Sequence, residues 1–161
     1  MRVWVLVRRG GSPMENALVT MDLSGCASLK LGVPLPGEEQ TVTDGVRVMK
    51  RTGENGRALF SIRGGGAGAC SRVTVLAEGI LIAERQAVAS PDQNGDLTVD
   101  QSDLDALKAK LGTKDDTADL DGDGRVTPAD ILIARLHLGH HVELVTQTKG
   151  TTWGEIKGGY R

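Results

Sequence analysis

Residues 119–130 read DLDGDGRVTPAD, with four aspartates and two glycines in twelve positions. Neighbouring carboxylates repel, and no hydrophobic core asks for them. The arrangement becomes favourable when something of opposite charge sits among them, and the spacing says what. Counting Asp119 as position 1, oxygen-bearing side chains fall at 1, 3, 5, 9 and 12: Asp119, Asp121, Asp123, Thr127 and Asp130. Calcium is a hard cation that takes roughly six to eight oxygens. A twelve-residue loop can wrap it with those positions plus the main-chain carbonyl at position 7, here that of Arg125. Magnesium prefers to keep several waters and suits such a loop less well.

The pattern occurs twice. Residues 92–112, DQNGDLTVDQSDLDALKAKLG, align without a gap on 119–139, DLDGDGRVTPADILIARLHLG, at an offset of 27. The first copy offers Asp92, Asn94, Asp96, the Thr98 carbonyl, Asp100 and Asp103, so two calcium ions are expected. Val99 and Val126, both at position 8, are expected to join the two loops through a short β bridge. At position 6, where a positive φ is required, the second copy has Gly124 and the first has Leu97. A side chain there costs about 1–2 kcal/mol, which predicts better geometry at the second site.

Each loop runs into a helical pattern, expected over 102–111 and 128–138, with Pro128 suited to a first helical turn. Ile131, Ala134 and Leu138 form an apolar stripe expected to face a core. Neither AVASP before Asp92 nor TKDDTA before Asp119 has room for an entering helix. Position 12 is Asp in both copies, where EF-hands usually have Glu. A duplicated calcium loop with only an exiting helix resembles a dockerin domain over residues 92–141. That resemblance implies a partner, a cohesin module on a scaffold or cell-surface protein. It places partner contacts at Gln101, Ser102, Lys108 and Ala109 in the first copy and at Pro128, Ala129, Arg135 and Leu136 in the second. Pro128-Ala129 departs from the Ser-Thr type of pair familiar in cellulosomal dockerins, so the two faces are not expected to be interchangeable.

Upstream, RVWVLV, ALVTMDL, DGVRVMKR, ALFSIR and RVTVLAEGILIAERQAV are short β-rich runs separated by Gly, Pro and Asn. Asn55-Gly56 is a hairpin signal, and Glu78-Gly79 folds the last run in two. GVPLPGEE and GGGAG mark loops, and the latter is no phosphate cradle because no Gly-Lys-Ser/Thr follows it. About seven strands without helices predict an all-β sandwich. GSPMENALVTMDLSG, TGENGRALFSI and SRVTVLAEG resemble bacterial immunoglobulin-like repeats of the invasin kind and the related carboxypeptidase regulatory-like modules, which implies a spacer. The expected fold is therefore multidomain, all-β plus small α. An immunoglobulin-like β-sandwich at 1–90 precedes a dockerin-like pair of loop-helix motifs at 91–141 and a tail at 142–161. The tail is expected to be a loosely ordered terminus or an extra strand lying on a neighbour. The alternative is a docking or sorting role for TTWGEIKGGYR, with Trp153 and Tyr160.

Charge follows the same division. Residues 1–91 hold eleven basic and eight acidic side chains, whereas 92–141 hold five and eleven. The whole chain carries −2, which argues against nucleic acid or anionic membrane as partner. No apolar run reaches membrane-spanning length. Cys26 and Cys70 are compatible with a disulfide in an oxidising compartment, or with two buried thiols. His137, His140 and His141 lack a fourth ligand of matching spacing for zinc and read as solvated residues. No nucleophile–base constellation, HExxH or phosphate loop is present, so no catalysis is expected. The sequence reads as a calcium-dependent interaction module, monomeric alone, extracellular or on a cell surface behind an upstream leader, and the resemblance to dockerins implies a setting of polysaccharide catabolism. The alternative is a calcium-rigidified structural segment of an adhesin or secreted protein without a cohesin partner.

Overall fold

The computed structural model describes residues 2–144 apart from 27, 71, 86 and 87. Trp153 and Tyr160 lie outside the described residues. The described chain is mostly β with two short helices. Five antiparallel strands form the larger sheet in the order Ile80–Arg85, Val73–Ala77, Leu18–Asp22, Arg47–Arg51, Thr41–Thr43. Arg2–Leu6 and Arg57–Ser61 form a separate antiparallel pair in which Trp4 stands opposite Leu59 and Val5 opposite Ala58.

The alternation read from sequence sorts these strands into faces. In Leu18–Asp22, Val19 and Met21 are buried while their neighbours are half-buried, and in Arg57–Ser61 the buried residues are Ala58 and Phe60. Residues from both sheets, including Val5, Val19, Val48, Phe60, Val73 and Ala77, belong to a single core cluster. Phe60 is the sole phenylalanine of the chain and is completely buried. Cys26, also buried, is disulfide-bonded, and Cys70 in the strand Ala69–Cys70 is the only other cysteine in the sequence.

One turn behaves differently from expectation. Asn55-Gly56 does not fold a hairpin, because Arg47–Arg51 pairs with Leu18–Asp22 and Thr41–Thr43 while Arg57–Ser61 pairs with Arg2–Leu6. The segment instead carries the chain from one sheet to the other. The Asn55 side chain accepts from the Arg57 amide, and Gly56 lies so close to the chain at Val7 that a Cβ would fall 2.6 Å from its carbonyl oxygen. Turn chemistry was read correctly, but which strands it joins is decided by the core. Glu78 and Gly79, both at positive φ, do close the hairpin that pairs Ala77 with Ile80.

Downstream lie helices α1, Gln101–Ala109, and α2, Pro128–Leu136. Each stops two residues short of its expected end, before Gly112 and Gly139 at positive φ. Ala134 is buried and Ile131 packs against Leu104, Leu107, Ala118 and Val126, but Leu138, expected in that core, lies beyond the helix end and is 46% exposed. Among the described residues no helix is long and apolar enough to cross a membrane.

Replacing Phe60 by Ala is expected to lower stability by about 3–5 kcal/mol through loss of buried area and an unfilled cavity. Trp4→Ala, at a site 65% exposed, should change it by about 0.5 kcal/mol or less. Urea denaturation of both variants checks this contrast.

Candidate metal centre

Both loops are built by the same hydrogen bonds, repeated at the 27-residue offset. At position 1, Asp119 accepts from the amides of Gly122 and Gly124 at 2.7 Å each, and Asp92 accepts from Gly95 at 2.7 Å and Leu97 at 2.9 Å. At position 5, Asp123 accepts from Arg125 N–H and Asp96 from Thr98 N–H. At position 12, Asp130 accepts from the amides of Leu120, Asp121 and Thr127, and Asp103 from those of Gln93, Asn94 and Asp100. The two position-12 carboxylates are completely buried and stitch the start of each loop to the first turn of its helix. Burial alone would push Asp130 up, but the donors at Thr127, Leu120 and Asp121 hold its carboxyl below the usual range.

The position-9 residues, expected as ligands, are the helix N-caps. Asp100 accepts from Ser102 N–H, Thr127 accepts from Ala129 N–H, and each helix has a reciprocal capping box with its position-12 aspartate. Thr127 Oγ1 also donates to Asp130 Oδ2 at 3.1 Å.

In the second loop Asp119, Asp121 and Asp123 converge, with ligand oxygens all within 4.8 Å of one another. Among the described residues this is the one grouping of three acidic, histidine or cysteine side chains of that kind. Partial desolvation and then the negative charges of Asp130, Asp123 and Asp119 hold Asp121 above the usual carboxylate value. The donor set is all oxygen, hard and anionic, and it fits a calcium ion better than a softer metal. In the first loop Asn94 replaces the central carboxylate, and its amide nitrogen donates to Asp96 and to Ser102 Oγ. Leu97 takes φ +69 where Gly124 takes φ +90, so the first copy does adopt the required conformation, with strain of about 1–2 kcal/mol.

The position-8 valines are buried but do not pair with each other. Val99 exchanges hydrogen bonds with His140 and Gly139, which follow α2, and Val126 with Gly112 and Thr113, which follow α1. Each loop is thus braced by the segment that ends the other copy's helix. The expected direct bridge fails because both valines already have these partners.

All eight residues placed by resemblance at partner contacts, Gln101, Ser102, Lys108, Ala109, Pro128, Ala129, Arg135 and Leu136, are exposed. The two helix faces differ. On α1 Lys108 pairs with Asp105 at 2.7 Å, whereas α2 exposes Leu132 and Leu136 by 60% and 78%. His137 and His140 are half-buried rather than solvated, with ring centroids 6.4 Å apart, and desolvation pushes both below the usual imidazole value. His141 is exposed and its Nδ1 lies 3.0 Å from Thr98 Oγ1.

Sequence reasoning missed the seat of the first loop. GGGAG, read only as a loop, brings Gly65 and Gly66 against Asp92 and Gly95 against Ala67. The run of glycines was the available signal, since close backbone approach is one of the uses of that residue. Compared with protein-family models, curated proteins and solved structures, the chain has no match.

In metal-free protein, Asp130→Asn should cost about 1–3 kcal/mol because backbone donors lose their acceptor. Asp121→Asn, which relieves like-charge crowding, should be neutral or slightly stabilising. Thermal unfolding of the two variants tests this. The lowered imidazoles of His137 and His140 mean that the unfolded chain takes up protons first as pH falls below about 6.5. Stability should therefore decline from pH 7 to pH 5, less steeply in His137→Gln/His140→Gln.

Proposed function

We propose that residues 92–141 form a calcium-dependent protein-interaction module of the dockerin kind, acting by binding rather than catalysis, and that the β-rich part serves as an immunoglobulin-like spacer. The observation that carries the reading is the convergence of Asp119, Asp121 and Asp123 within 4.8 Å at the mouth of a capped helix. Three carboxylates held so close call for a divalent cation, and the oxygen-only set selects calcium. The second copy repeats the same loop bonds, which supports a second ion held by Asp92, Asn94, Asp96 and Asp103. Exposure of the outer faces of α1 and α2 supports the interaction reading over a purely structural one, because among the described residues no other element covers Ala109, Arg135 or Leu136. The partner class is a cohesin-like module on a secreted scaffold or cell surface, consistent with the disulfide at Cys26 and an extracellular setting.

Calorimetric titration of the metal-stripped chain should give two calcium-binding events with a gain of helicity by circular dichroism. Asp121→Asn/Asp123→Asn should remove one event, and magnesium should bind more weakly at both. A panel of cohesin modules should include at least one that binds with calcium and is released by chelator, and Leu136→Glu should weaken that binding at least tenfold. Absence of any calcium heat would overturn the proposal.

A further inference from the structure

The two loops share their main-chain hydrogen bonds to positions 5 and 12 and differ most at position 1. Asp92 Oδ2 accepts not only from Leu97 N–H but also from the amide of Gly66, at 2.7 Å, in the β-rich part of the chain. Among the described residues Asp119 accepts only from within its own loop. Asp92 is accordingly 1% exposed, while Asp119 is half-buried.

Gly66 has no substitute at that place. Its φ is +116, and a Cβ would fall 1.9 Å from the Ser28 carbonyl oxygen. A Cβ on Gly65 would lie 3.2 Å from Asp92 Oδ2, 3.3 Å from Leu97 Cα and 3.1 Å from Val142 Cγ2. The buried Val142 donates its amide to the Leu97 carbonyl. Beyond it Val33 N–H donates to the Glu143 carbonyl, and Gly32 bridges to Leu144. The first loop therefore meets residues 65–67 and Val142, and residues 143 and 144 run on to pair with Val33 and Gly32.

We propose that cation binding in the first loop and closure of this joint are one coupled equilibrium, with Asp92 as the shared residue, so that calcium at this loop ties the helical part to the β-rich part. The inference rests on the calcium reading above. The two claims on Asp92 do not compete. A carboxylate offers about four acceptor sites. Oδ2 serves Gly66 and Leu97, and Oδ1 serves Gly95, which leaves a site on Oδ1 for the cation. A cation that fixes Asp92 fixes the acceptor of Gly66. In return, the joint holds Asp92 in place and packs Gly65 against Leu97, whose left-handed conformation the loop needs at position 6. By linkage, each event strengthens the other by the same factor.

The test uses the full chain with Asp119→Asn/Asp121→Asn, so that calcium acts at the first loop alone. Amide exchange is followed by mass spectrometry with and without calcium. Protection of 92–103 accompanied by slowing of at least about fivefold in peptides covering 31–33 and 63–67 is expected. As a reciprocal measurement, Gly65→Val in the otherwise unchanged chain should weaken one of the two calorimetric calcium events at least about fivefold and leave the other as it was. Calcium protection confined to 92–103 would overturn the coupling while leaving the calcium reading intact. No calcium heat in the unsubstituted chain would overturn both.

Discussion

A completely buried carboxylate, Asp103 in one copy and Asp130 in the other, takes hydrogen bonds from the first amides of its loop and from the N-cap amide of the helix that follows. A buried anion is costly unless donors surround it. Here the donors are backbone groups that a tight loop and a helix N-terminus leave unpaired anyway. The favourable end of the helix dipole adds to the effect. One side chain thus solves the loop's polar accounting and the helix's capping together.

In the second loop the remaining aspartates stand at positions 1, 3 and 5. Their carboxylates share a small space near solvent, and Asp121, crowded by its neighbours, resists ionisation. Asp130 is completely buried among its donors, whereas these three, although each also accepts from at least one loop amide, keep ligand oxygens within 4.8 Å of one another. In the first loop Asn94 takes the place of the central carboxylate and Asp92 accepts from the amide of Gly66 in the β-rich part, so the copies share a main-chain frame and differ in side-chain partners.

The sequence made the loops legible because oxygen-bearing residue types recur at fixed intervals within each copy and again at the offset of 27. Both helices, the strands and the Glu78-Gly79 hairpin followed from periodicity and turn chemistry, which are local. What escaped was non-local. Asn55-Gly56 reads as a hairpin turn whichever strands flank it, and only packing of Phe60 and Ala58 on the shared core reveals a crossover. Val99 and Val126 read as natural partners, yet the chain folds so that each meets the segment after the other helix. GGGAG gave no hint of Asp92, because a glycine's reason for being small lies in whatever approaches it.

That crossed bracing of the valines has a consequence for how such a unit can exist in half. A single loop-helix copy carries both a valine and a post-helix segment, but in the folded chain neither valine bonds to the segment of its own copy. Two separate copies would satisfy both bonds by facing one another across a two-fold axis. The tandem arrangement is therefore a dimer written on one chain, and a truncated single copy would be driven to find a second molecule of itself.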